Sequence, residues 1–135
     1  QLLKLSQDGG KLIQIWEDSE LDSQFGATIL HDGHLYGSGH DNRNWHCIEF
    51  LTGKPKYSSR ELGRKGSIIF ADNMFYIYSE RGDIGLVKPN SDKFEVVSSF
   101  KMRQGSGEHW AHPVIRDGKL FVRHGNILNI YNIAG

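Results

Sequence analysis

Hydrophobic and polar positions along this chain recur with a period of two wherever they are regular. That period belongs to half-buried strands and not to helices. It is plainest in Leu12-Ile13-Gln14-Ile15-Trp16 and in Ile127-Leu128-Asn129-Ile130-Tyr131-Asn132-Ile133. One phrase occurs three times: an apolar strand, a tight acidic turn and a second apolar strand. Its copies are Ala27–Tyr36, Ser67–Tyr76 and His112–Phe121, with turns opening at Asp32, Asp72 and Asp117. A spacing of about 40 to 45 residues fits a four-stranded propeller blade better than any helical repeat.

Each copy continues into a polar loop, a third strand, a turn and a fourth strand. After Ala27–Tyr36 come the loop Gly39–Asn44, a strand at Trp45–Phe50, the turn Thr52-Gly53-Lys54 and a strand near Pro55–Ser59. The expected organisation is a single all-β segment, a partial β-propeller of four-stranded antiparallel blades. It holds a blade remnant at 1–17, full blades at 25–59 and 67–100, and a partial blade at 111–133. Propellers use at least about four blades to close a ring. The chain is therefore expected to be the C-terminal part of a longer propeller or to oligomerise. Its partners would then be the remaining blades or a second copy, covering the open edges.

Composition narrows the class. Sixteen Lys and Arg balance sixteen Asp and Glu, so no net field draws nucleic acid or anionic lipid. Sixteen glycines against three prolines suit short strands joined by turns. No run approaches the roughly 18 apolar residues of a membrane-crossing helix. The single cysteine, Cys47, lies in an apolar strand, where a buried and inert thiol is expected.

The phrases Asp32–Gly37, Leu51–Tyr57, Asp117–Asn126 and Leu128–Ile133 resemble the repeats of PQQ-like (quinoprotein-type) β-propellers. That resemblance implies a bacterial protein of the periplasm or cell envelope. It admits both non-enzymatic scaffold proteins and quinone-dependent dehydrogenases, the latter using PQQ with calcium. The dehydrogenases also carry an adjacent cysteine pair over the quinone, which one cysteine cannot provide. The family's blade signature places Thr-Gly-Lys two residues before a docking Trp. Here Thr52-Gly53-Lys54 leads to Tyr57, and Trp16 lies near the equivalent stretch. The docking Trp is thus expected to be absent or displaced.

Strands running inner to outer put the first-to-second and third-to-fourth turns on one face, and those turns are tight. The other face collects the second-to-third loops and the links between blades, which are long, polar and different in every repeat. Variable loops on a rigid scaffold are where recognition concentrates. The expected ligand-binding set on that face is Gln24, His40, Asp41, Asn42, Arg43, Arg64, Lys65, Arg81, Glu108, His109, Trp110, Arg123 and His124. These supply cations, carboxylates, imidazoles and an aromatic plate, suited to a protein partner, a small anion or a glycan. The alternative is that the same charges cross-link neighbouring loops or face water.

Sharper motifs are weak. His109-Trp110-Ala111-His112 has HxxH spacing, but an extended segment points the two imidazoles to opposite faces, so no metal is expected. Asp41-Asn42-Arg43-Asn44 resembles part of a calcium loop without its alternating acids or distal Glu. Trp16 and Trp45 read as packing residues, and His31 and His46 as packing or rim residues. No phosphate loop, nucleophile elbow or Ser-His-Asp order is present. The expected function is non-catalytic binding or scaffolding through the loop face. Part of a PQQ-dependent dehydrogenase, or a carbohydrate-binding propeller, are the alternatives.

Overall fold

The computed structural model describes residues 1–24, 26 and 28–134. Phe25 and Ala27, where the first full blade and its opening phrase were expected to start, lie outside the described residues, as does Gly135. Among the described residues thirteen strands form four antiparallel sheets, with no helix. Strands β1 (Leu2–Leu5) and β2 (Leu12–Trp16) pair alone. Strands β3 (Ile29–His31), β4 (His34–Ser38), β5 (Trp45–Glu49) and β6 (Pro55–Ser59) follow one another across one sheet. So do β7 (Gly66–Ala71), β8 (Met74–Ser79), β9 (Asp83–Lys88) and β10 (Glu95–Lys101). The last sheet holds β11 (Val114–Arg116), β12 (Lys119–His124) and β13 (Ile127–Asn132).

The repeated turn has one conformation in all three copies. Its two central residues have positive φ each time: 45° and 72° at Asp32-Gly33, 50° and 56° at Asp72-Asn73, 49° and 68° at Asp117-Gly118. Two-residue loops of that kind twist with the strands they join, and Asp, Asn and Gly tolerate the left-handed region best. Register follows, with His31 opposite His34, Ala71 opposite Met74 and Arg116 opposite Lys119.

Consecutive four-stranded sheets pack face to face. Tyr36, Trp45 and Cys47 of the first meet Ile68, Phe75, Ile77 and Val87 of the second, all buried. The next interface is built from Tyr78, Ile84 and Met102 on one side and Leu120 and Val122 on the other. Truncating a buried aromatic such as Trp45 in such a core costs about 3–5 kcal/mol. Burial pushes the Cys47 thiol up to about 11, which keeps it protonated and unreactive.

The β1–β2 pair is attached through Trp16. Its indole Nε1–H donates to the Phe50 carbonyl at 2.8 Å, and its ring lies over Gly53, where a Cβ would come within 2.6 Å of it. Gly53 also has φ of 72°, so two constraints exclude a side chain there. An indole from β2 thus rests on the Thr52-Gly53 turn of the following sheet. At the two ends apolar side chains stay exposed, among them Leu5, Leu12 and Ile13 on β1–β2 and Val114, Leu128 and Ile130 on β11–β13.

Candidate functional site

Backbone hydrogen bonds sort the connections into two sides. On one, the Phe50 N–H donates to Gly33 O at 2.8 Å and the Ile133 N–H to Gly118 O at 2.9 Å, joining third-to-fourth turns to first-to-second turns. On the other, the Glu80 N–H donates to Lys65 O at 3.0 Å and the Met102 N–H to Gly82 O at 2.8 Å, joining second-to-third loops to the links between sheets.

The loop side is tied together by side chains. The Asp22 carboxylate accepts from the backbone N–H of both His40 and Asp41. Asn42 donates to Glu20 O at 2.9 Å, and its Oδ1 faces His46 Nε2 at 2.9 Å. Lys65 Nζ donates to His40 Nδ1 at 2.6 Å and lies 3.5 Å from the Glu80 carboxylate. One ammonium thus bridges loops from two successive sheets. His46 is buried, which holds it below the ordinary imidazole value.

The thirteen expected residues do not form one site. Gln24, His40, Lys65, His109 and Trp110 converge with Ser38, Ser67 and Glu80 around a narrow cleft of about 10 Å³, room for a single water. Asp41, Asn42, Arg43 and Arg64 turn outward instead and line a separate polar cavity of about 260 Å³ with Asn44 and Arg60. Arg81, Glu108, Arg123 and His124 line neither. Arg123 Nε donates back to Gly125 O at 2.9 Å, and Arg81 sits exposed on the turn after β8. Glu108 is exposed beside His109.

His124 is buried, with Nδ1 at 2.7 Å from Gln104 O and Nε2 at 2.8 Å from Gly107 O. In either neutral tautomer one ring nitrogen donates to its carbonyl. Its ring stacks on His109 at 3.6 Å between centroids, and His109 Nδ1 shares a hydrogen bond with the Tyr78 hydroxyl at 2.5 Å. Burial, then His124 and Lys101, hold His109 below its ordinary value. Burial pushes the Tyr78 phenol up to about 12, keeping it a donor. The HxxH segment lies outside the strands, between β10 and β11. His109 finds His124 across the fold, while His112 stays exposed.

Sequence reasoning missed Arg60, Asn44, Ser38 and Ser67 as lining residues. Arg60 was discoverable, because it follows β6 directly and begins the same link that carries Arg64. Ser38 and Ser67 looked like ordinary strand residues.

No family model and no curated protein matches the chain. Solved structures do. BamB from Moraxella catarrhalis is similar over 76% of this chain and 29% of that one, with a TM-score of 0.57 and 9% sequence identity. The fold is a partial β-propeller. The sheets are therefore blades, and the loop side is one face of a propeller disc. The chain spans less than a third of BamB's length.

Proposed function

We propose that this segment is a non-catalytic binding and scaffold part of a PQQ-like propeller, acting through its loop face. The observation that carries the reading is the Lys65 bridge to His40 and Glu80. It fixes loops of different blades into one continuous surface, which preorganises that surface for a partner. The two clefts on the same face, with exposed Trp110 at the mouth of the narrower one, supply the polar and aromatic groups that recognition uses. An envelope location belongs to this proposal through the repeat resemblance. Further blades or a second copy would cover the apolar ends.

The test is affinity capture by the full-length protein from its own cells, with matched variants. Lys65→Met with Trp110→Ala should lose specific partners, whereas Asp117→Lys on the turn face should retain them. Equal retention by both would sink the loop-face reading. The dehydrogenase reading predicts quinone absorbance and dye reduction after reconstitution of the full-length protein with PQQ and calcium. A folded protein that shows neither removes it. Trp110-dependent signal on a carbohydrate array would select a glycan ligand.

A further inference from the structure

The 260 Å³ cavity gathers three arginines, Arg43, Arg60 and Arg64, from two separate links of the loop face. Among the described residues no carboxylate lies within ion-pair distance of any of the three guanidinium groups. Arg60 is held in place: its Nε donates to Asn44 Oδ1 at 3.3 Å, and Asn44 Nδ2 donates to Ser58 Oγ at 2.9 Å. Like charges gathered on one concave lining raise the local potential for an anion.

The backbone that presents the other two is unusual. Arg43 has φ of 57° and Arg64 of 81°, and Leu62-Gly63-Arg64 are left-handed in succession, at 51°, 68° and 81°. L-residues enter that region as isolated positions, at a cost of roughly 1–3 kcal/mol where the conformation is strained. The turn is pinned from below. Leu62 fills the space over Gly85, where a Cβ would come within 2.2 Å of it. Gly63 sits so close to Asp83 and Ser79 that a Cβ would lie 2.0 Å from the Asp83 carboxylate. A pinned left-handed turn therefore places exposed Arg64 on the same cavity that Arg43 lines from the facing loop.

We infer that this cavity is an oxyanion site for a phosphate ester that carries neighbouring hydroxyl groups. The inference rests on the loop-face reading and narrows it. Guanidinium forks match phosphoryl oxygens two at a time, and three of them suit a dianion better than a single carboxylate. Asp41 shares the lining and, as an ionised acceptor, takes hydrogen bonds from hydroxyls but repels the phosphoryl group. The phosphoryl end therefore lies toward the arginines and the hydroxyl end toward Asp41. A free sugar phosphate and a phosphoglycerol lipid headgroup share this chemistry.

The test titrates the full-length protein with inorganic phosphate, glycerol phosphate and acetate at constant ionic strength. Calorimetry is followed together with the arginine Nε–H resonances. Vesicles of phosphatidylglycerol and of phosphatidylcholine form a separate arm. Glycerol phosphate should bind at least tenfold tighter than acetate and shift the Arg43 and Arg64 signals. Preference for the soluble ester or for the anionic vesicle assigns the source.

Arg64→Gly separates binding from folding, because glycine relieves the φ of 81° while removing the guanidinium. It should lose at least tenfold in glycerol phosphate affinity with Tm no lower than the parent's. Lys119→Gln, on the turn face, should bind as the parent does. Absence of phosphate binding, or affinity within twofold in Arg64→Gly and in Arg43→Gln, overturns the proposal. If partner capture still depends on Lys65 and Trp110 in that case, the loop-face reading stands and only the oxyanion site falls.

Discussion

The two faces of this partial propeller are organised by different physics. On the turn face, three copies of one backbone conformation recur at Asp32-Gly33, Asp72-Asn73 and Asp117-Gly118, and Trp16 locks onto Gly53. Local conformational preference and one docked indole do the work there. On the loop face no two connections are alike. What holds them is long side chains reaching between blades: Asp22 to the His40 loop, Lys65 to His40 and Glu80, Tyr78 to His109. Uniform sequence yields uniform backbone and carries architecture, whereas varied loops fixed by side chains can be rewritten without disturbing the blades.

The largest effect should come from the turn face. Gly53→Val drives a side chain into the Trp16 ring and strains a φ of 72°, an expected loss of about 2–4 kcal/mol in denaturant unfolding. Trp16 fluorescence should report the undocking. If stability is unchanged, the turn face is not the structural one. On the loop face, Lys65→Met removes a pair whose side chains are only 13% and 26% exposed. The expected loss is smaller, about 1–2 kcal/mol, while partner capture should suffer more than stability.

A third contrast lies in pH. His46 and His109 are both held below the ordinary imidazole value by burial. The unfolded chain therefore binds protons first as pH falls. Stability should be fullest above about 6.5, the unfolded imidazole value, and should decline below it until the folded pKa is passed. Thermal melts at stepped pH should show the decline, and a His46→Gln, His109→Gln double variant should flatten it. A wild-type Tm that rises between pH 7 and 5 would contradict both assignments. The smallest effect should be a gain. Asn73, with φ of 56°, occupies the position that Gly33 and Gly118 hold in the other copies. Asn73→Gly should stabilise by about 0.5 kcal/mol, because glycine adopts positive φ at no steric cost, and leave binding untouched, as a matched pair of melts and titrations would show.

The turn face was largely legible in the sequence. Asp-Gly and Asp-Asn between period-two apolar runs specify both the hairpins and their register, and the blades followed from the spacing. The attachment of β1–β2 was harder, because Trp16 docks on a turn far along the chain from it, at Phe50 and Gly53. The loop face was legible as a region but not as a site. Arg64 lines a different cavity from Lys65, its immediate neighbour; it ends the left-handed run Leu62-Gly63-Arg64, and nothing in Leu or Arg announces that conformation. The stacking of His109 on His124 depends on the irregular path between β10 and β11, which no periodicity describes. Side-chain direction in such segments comes from long-range packing, here Leu62 against Gly85 and His109 against Gly82.

Site-specific photo-crosslinking on the full-length protein in its own cells tests the division of labour most directly. The crosslinker would be placed singly at Arg43, Arg64 and Trp110 on the loop face, and at Thr52, Asn73 and Asp117 on the turn face. The account predicts discrete adducts from the first three positions and none from the second three. Adducts of equal yield from both faces, or from the turn face alone, would contradict it.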